Sequence, residues 1–252
     1  PMGDSNAFYE TLTPYYHLIY PDWEASIRRQ ATMLDSVINE YWRDVSTILD
    51  VSCGIGTQAL GLAELGYSLT ASDLSPHEVE RARKEAASRS LPIEISVADM
   101  REAHQHHGGQ FDVVISCDNS IPHLLTDEQI LRAFQQFYEC TRPGGGCIIS
   151  VRDYDAEDLS RRQLRPYGIR EESGTRWVIW QVWEPRPPNY EMTFYFVADQ
   201  GGPECATYCM RSTYYAIGIP RLMTLMAHAG FTEIQRLDDR FFQPMIIGTR
   251  GA

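Results

Sequence analysis

The sequence has no surplus of basic charge. Lys and Arg number 22 against 34 Asp and Glu, the formal net charge is −12, and no long basic run occurs. A nucleic-acid backbone is therefore excluded as the main partner. There is no apolar run that approaches a membrane span and no visible secretory signal, so neither a membrane partner nor export is expected. There is no C-x-x-C pair: the six cysteines, at 53, 117, 140, 147, 205 and 209, are scattered, several of them in apolar runs. That pattern argues against a disulfide framework and for reduced core thiols in a cytoplasmic protein. His104, His106 and His107 have no carboxylate or Cys at ligand spacing, so no metal is expected. Also missing is the third glycine of the dinucleotide fingerprint G-x-G-x-x-G, since Ala59 stands in its place.

What is there is a 43% apolar chain of 252 residues. That suits one elaborated α/β domain, or one domain with an inserted lid. The organising stretch is Ile48-Leu49-Asp50-Val51-Ser52-Cys53-Gly54-Ile55-Gly56-Thr57-Gln58. It reads as a buried strand, a tight glycine turn and a helix start at Thr57. A crevice at the carboxyl end of such a strand is where nucleotide-like ligands bind. Asp50 ahead of the glycines disfavours a pyrophosphate and favours a cationic or hydroxylated ligand.

From there the alternation is regular. Strands are expected over 68–72, 93–97, 111–116 and 147–151. Ser75-Pro76-His77-Glu78 and Thr126 with Gln129 read as capping boxes that open helices. Residues 101–110 are expected to be a solvated loop. In a parallel sheet the ends of these strands share one edge. Asp50, Asp73, Asp99, Asn119 and Arg152 should therefore line one cleft. Asp73, about twenty residues past the glycine turn, is placed to hydrogen-bond both hydroxyls of a ribose.

The flanks depart from this rhythm. Residues 1–44 carry Tyr9, Tyr15, Tyr16, Tyr20 and Trp23, then a helical stripe of Ile27, Ala31, Leu34, Ile38 and Tyr41. They are expected to form an aromatic and helical flap, with an Arg reaching a ligand carboxylate. Within 156–215, three alternating strands from Trp177, Met192 and Ala206 predict an antiparallel lid. Most of its aromatics should be its own core, with Tyr195, Tyr208, Tyr214 and Tyr215 as candidates to face substrate. Residues 45–155 and 216–252 form the core, ending in a helix from Pro220 to Ala229 and an antiparallel hairpin.

These motifs resemble the class I S-adenosylmethionine-dependent methyltransferases over roughly residues 45–155 and again in the final quarter. ILDVSCGIGTQ looks like the family's first motif, SDLS like its second and VADM like its third. The resemblance implies a Rossmann-like α/β sheet with an inserted antiparallel β lid, and S-adenosylmethionine as cofactor. It implies cofactor contacts from Tyr16, Tyr20, Arg28, Asp50, Ser52, Gly54, Gly56, Thr57, Asp73, Leu74, Asp99, Met100 and Cys117. The chain is more particularly similar to glycine and sarcosine N-methyltransferases. It matches their runs with Asp118-Asn119-Ser120-Ile121-Pro122-His123-Leu124, Arg152-Asp153-Tyr154-Asp155 and Tyr214-Tyr215. On that likeness Asp118, Asn119, Arg152, Tyr214 and Tyr215 bind the acceptor, and Asn119 and Arg152 hold its carboxylate. Asp118 and His123 are candidates to take the amine proton.

The sequence also departs from that pattern, with Asp118 for Gly and Ile121-Pro122 for Phe-Ala. A carboxylate at 118 disfavours glycine and favours an acceptor bearing an ammonium. Arg152 has a second reading as the ion-pair partner of Asp153, Asp155 or Asp118, and His123 as a structural hydrogen-bonding residue. N-methylation of a small amine or amino acid is the expected activity. O- or C-methylation of a small aromatic or carboxylate metabolite is the alternative, ahead of a non-enzymatic cofactor-binding module. The acceptor is a small molecule, and the protein is a monomer or a homo-oligomer.

Overall fold

The computed structural model describes residues 13–252. Tyr9 and the rest of the first twelve residues of the expected flap lie outside the described residues. A 3₁₀ turn at Tyr16–Ile19 leads into α1, Trp23–Tyr41. Asp22 caps α1 by accepting from the Ala25 amide, and Ile27, Ala31, Leu34, Val37 and Ile38 form its buried stripe. The core alternates β1 (Thr47–Asp50), α2 (Thr57–Glu64), β2 (Ser68–Asp73), α3 (Pro76–Ser88), β3 (Glu94–Val97), α4 (Ala103–His107), β4 (Phe111–Ser116), α5 (Asp127–Cys140) and β5 (Thr141–Ser150). Four antiparallel strands follow: β6 (Gln163–Glu172), β7 (Thr175–Arg186), β8 (Asn189–Asp199) and β9 (Ala206–Tyr215). Then come α6 (Ile219–Ala229), β10 (Thr232–Leu237) and β11 (Met245–Thr249).

The main sheet has seven strands in the order β10-β11-β5-β4-β1-β2-β3. Strands β1 to β5 pair in parallel, while β11 runs antiparallel to both β5 and β10. Strand order reverses at β1, which has β2 on one side and β4 on the other. This is the topological switch point where a crevice opens beyond the carboxyl ends. Ile48, Leu49, Val113, Val114, Ile115, Ile148 and Ile149 are completely buried, as expected for central strands covered on both faces. α1 packs closely on α2 because Gly61 faces it: a Cβ there would lie 2.7 Å from the Ala31 methyl.

The four-stranded sheet, ordered β6-β7-β8-β9, has its own aromatic core around Trp183, Tyr190, Phe194 and Phe196. It stands where the antiparallel insertion is expected, with one strand more: the pairing of β6 with β7 shifts register between Pro166 and Gly168, which breaks the two-residue alternation that would mark a strand. The expected loop at 101–110 is a 3₁₀ turn followed by α4, with His106 and His107 hydrogen-bonded to Ser96 and Ser72. No cluster of ligands able to hold a metal occurs among the described residues. The capping box at α3 is half formed. Ser75 Oγ accepts from the Glu78 amide at 3.4 Å, but the Ser75 amide donates to Asp73 Oδ1 at 3.0 Å and not to the Glu78 carboxylate.

Candidate active site

Two adjoining hollows lie beyond the carboxyl ends of the parallel strands. The first is a crevice at the end of β1, lined among others by Tyr20, Ser52, Gly54, Thr57, Asp73 and Cys117. Its floor is the glycine turn. Gly56 has a φ of +97°, a conformation L side chains rarely adopt, and it carries the chain into α2. Asp73 is 9% exposed, and its two oxygens accept from the Gly54 amide at 2.9 Å and the Ser75 amide at 3.0 Å. Burial pushes its carboxyl above the usual carboxylate range, against the pull of those amides. Asp50 lies just behind, with Oδ1 on the Ser52 amide and Oδ2 without a partner among the described residues. Burial raises its pKa to about 7. Trp23 Nε1 reaches over from α1 to donate to Thr57 Oγ1 at 2.9 Å, which ties the flap helix to the crevice.

These residues fit S-adenosylmethionine. The glycine turn admits close approach, and Asp73 presents acceptors for hydroxyls, while Asp50 is buried behind the turn and does not line the crevice. Four more of the expected contacts, Arg28, Leu74, Asp99 and Met100, do not line the crevice. Arg28 is exposed on the solvent side of α1, because the stripe that buries Ile27 and Ala31 turns position 28 outward. Asp99 is held by both oxygens in a pair with Arg101 and caps the turn at Met100–Glu102. That pair keeps Asp99 ionised, below its ordinary range despite partial burial. Leu74 is 38% exposed and Met100 half-buried, and neither lines the crevice.

The second hollow, of about 60 Å³, lies between the strand ends and the lid. Asp118 and Tyr16 line both hollows, so this is where the two meet. Asp118 and Asn119 are consecutive residues with left-handed backbone, φ +60° and +63°. Such strain persists only where the surroundings over-determine it. Here the Asp118 amide donates to Ser150 Oγ at 2.8 Å and the Asn119 amide to the Ser150 carbonyl at 3.0 Å. The Asp118 carboxylate accepts from Tyr20 at 3.1 Å and more loosely from Gln243 at 3.4 Å. Burial raises its pKa, while Tyr20, Arg152 and Gln243 oppose the rise.

Asn119 is largely committed to structure. Its Oδ1 accepts from the Arg152 amide at 3.0 Å, and its Nδ2 donates to Tyr154, which in turn meets Tyr190 at 2.9 Å. It thereby positions the residue after β5 that carries the guanidinium. Arg152 lies 4.5 Å from the centre of the Trp183 ring and makes no ion pair with a carboxylate within 4 Å among the described residues. Neither Asp153 nor Asp155 takes it up; Asp153 pairs with Arg236 at 2.6 Å. Burial opposes its charge but does not remove it: the pKa stays above the ordinary arginine value, so the guanidinium remains charged.

The lid supplies Tyr167, Gln181, Tyr190, Met192, Phe194 and Tyr214 to this hollow. Parity decides which aromatics face in. On β8, Tyr190, Met192 and Phe194 point inward, so Tyr195 points out and stacks on Trp180. On β9, Tyr214 faces the hollow, whereas Tyr215 turns away and donates to Asp127 at 2.8 Å. Tyr208 packs against Tyr15 at 4.9 Å and does not line the hollow. His123 sits outside the lining, 4.2 Å from the Tyr214 ring, with burial lowering its pKa to about 4. This half-buried imidazole also meets Ser212 Oγ at 3.3 Å, which places it as a support for Tyr214. Tyr167, Gln181, Tyr190 and Gln243 carried no sequence signal, because their place depends on strand pairing and on the hairpin that follows α6.

Residues 48–145 match the family described as "Methyltransferase domain". A glycine/sarcosine N-methyltransferase of Parasynechococcus marenigrum is 29% identical over 134 residues, 53% of this chain and 47% of that protein. The chain thus aligns with about half the length of that relative. A putative methyltransferase of Geobacillus sp. is 26% identical over 90% of both proteins. Among solved structures, the sugar N-methyltransferase KedS8 from Streptoalloteichus sp. superposes with a TM-score of 0.76 at 18% identity, over 90% of this chain and 88% of that one. Residues 48–145 are thus a methyltransferase domain, and the strand order with its reversal at β1 and the acid at the end of β2 support a class I S-adenosylmethionine-dependent methyltransferase.

Proposed function

We propose that the protein transfers a methyl group from S-adenosylmethionine to the nitrogen of a small amine that also bears a carboxylate, an amino acid or a close relative. One observation carries this reading. The hollow beside the cofactor crevice brings together a guanidinium without a carboxylate partner, Arg152, and a buried carboxylate, Asp118. A zwitterion matches such a pair: its carboxylate takes the fork of Arg152 and its ammonium faces Asp118. The N-methyltransferases among the relatives and neighbours support the same choice of nucleophile.

When bound, the cofactor supplies a methyl on a sulfonium, open to in-line displacement by a lone pair. The residues of this chain do the rest. Asp118, with its raised pKa, takes the ammonium proton and frees the lone pair. Arg152, fixed through its amide by Asn119, sets the direction of the acceptor. Positioning of this kind is worth up to ~7–11 kcal/mol of the barrier in well-oriented systems. The lid tyrosines wall the hollow from water. Buried free thiols at Cys53, Cys117, Cys140 and Cys147 support a reducing, cytoplasmic setting.

The test is a screen of amino acids, simple amines, phenols and carboxylic acids for release of S-adenosylhomocysteine, beside calorimetric titration of S-adenosylmethionine and NAD. Turnover confined to carboxylate-bearing amines is expected. Turnover of a neutral phenol in their place would replace this reading with O-methylation.

A further inference from the structure

Glu78 belongs to no interaction that explains it. It lies in the first turn of α3 with no exposed surface, and neither carboxyl oxygen has a hydrogen-bond partner among the described residues. Buried polar groups without partners are rare, and each calls for a reason. The role its position predicts, closing a capping box onto the Ser75 amide, is taken by Asp73 Oδ1 at 3.0 Å. The side chain instead enters the cofactor crevice, whose wall it forms with Asp73, Ser52 and Thr57. Its Oε2 lies against the glycine turn, 3.3 Å from where a Cβ on Gly54 would stand. Gly54 in turn donates its amide to Asp73, so the two acids flank one turn.

Asp73 has already spent one acceptor site of each oxygen on the Gly54 and Ser75 amides. A ribose brings two hydroxyls, each of which donates one hydrogen bond and accepts others. An acceptor-only carboxylate serves the donors and leaves the hydroxyl oxygens unserved. We propose that Glu78 is a second cofactor-contacting residue, whose carboxyl completes the hydrogen bonding of the ribose hydroxyls beside Asp73. This rests on the reading of the crevice as an S-adenosylmethionine site. Burial and the neighbouring Asp73 charge hold Glu78 in its neutral form, which both donates and accepts, and Arg81 opposes them only in part. The pair thus divides the work: Asp73 accepts, and Glu78 donates to the hydroxyl oxygens.

Calorimetry with S-adenosylhomocysteine and its 2′-deoxy and 3′-deoxy analogues tests this on the full chain. Glu78→Gln keeps a donor and an acceptor in the same shape and should bind S-adenosylhomocysteine within threefold of wild type. Glu78→Met should bind it at least tenfold more weakly, with a penalty under threefold for the deoxy analogue that lacks the contacted hydroxyl. The same substitution should raise the melting temperature of the ligand-free protein, since it removes an unpartnered buried acid. Glu78→Ala carries the same affinity comparison should Glu78→Met fail to fold. Apolar variants that bind S-adenosylhomocysteine as tightly as wild type would overturn the proposal. So would an equal loss for S-adenosylhomocysteine and both deoxy analogues, which would place Glu78 against another part of the ligand. A wild-type protein that binds no S-adenosylhomocysteine would instead defeat the cofactor reading, and this proposal with it.

Discussion

Replacing Arg152 by Lys keeps the charge and removes the fork. The backbone at 152 stays in place, because its amide is held by Asn119 Oδ1 at 3.0 Å. An ammonium still sits over Trp183, so the cation–π contact seen at 4.5 Å is only weakened. What disappears is the second of two parallel charge-assisted hydrogen bonds to the acceptor's carboxylate. A hydrogen bond to a charged group contributes about 1.5–3 kcal/mol. At ~1.4 kcal/mol per tenfold, kcat/KM for the carboxylate-bearing acceptor should fall by about 10- to 150-fold. S-adenosylhomocysteine affinity should stay at the wild-type value, since Arg152 lines the acceptor hollow and not the cofactor crevice. The assay is initial-rate release of S-adenosylhomocysteine with the preferred amino acid and with the same amine lacking its carboxylate, beside calorimetry of the cofactor product. The penalty should appear with the first acceptor and vanish with the second. An equal penalty for both, or none for either, refutes the assignment of Arg152 to a carboxylate.

Other outcomes follow from the same geometry. Asp73→Ala should weaken S-adenosylmethionine binding by about 1.5–3 kcal/mol while the fold persists, and unchanged affinity by calorimetry would remove Asp73 from the ribose. Asp50, whose pKa is raised from 3.8 to about 7, stays protonated in the folded state over a range where the unfolded chain has released that proton. Its contribution to folding therefore declines as pH rises from 3.8 towards 7 and is level above that, a loss bounded at about 4 kcal/mol. In denaturant titrations the stability gap between Asp50→Asn and wild type should widen across that interval, and a gap that is constant with pH would contradict it. Amide exchange across β6 to β9 should be faster than across β1 and β4 without ligands, and should slow when cofactor product and acceptor are both present. Equal protection of the two sheets in every state would count against a lid.

Much of the core was legible because its signals are local. The caps at Ser75 and Thr126, the proline at position 76 and the three-and-four spacing of Ile130, Phe134 and Phe137 act within a turn or two of helix. The continuous apolar runs of β1 and β4 required burial on both faces, and the glycine turn required a bend at the end of β1. Together with the rule that parallel strands share one edge, these predicted a single cleft at the strand ends; in the structure Asp73 lines the crevice, Asn119 and Arg152 line the adjoining hollow, and Asp50 and Asp99 line neither. The strand β6 escaped because a register shift between Pro166 and Gly168 interrupts its alternation, and α4 because its histidines hydrogen-bond Ser72 and Ser96 across the sheet edge.

The sequence by itself determined the class of fold and the position of the glycine crevice, since periodicity, capping and turn chemistry depend on residues near one another in the chain. Only the tertiary structure decided which side chains face the chemistry. Tyr214 lines the hollow and Tyr215 leaves it through the pairing of β9 with β8, and a shift of one residue would exchange them. The left-handed Asp118 and Asn119 are held by Ser150, a residue of another strand. Each of these rests on hydrogen bonds or a strand register that join segments distant in the chain.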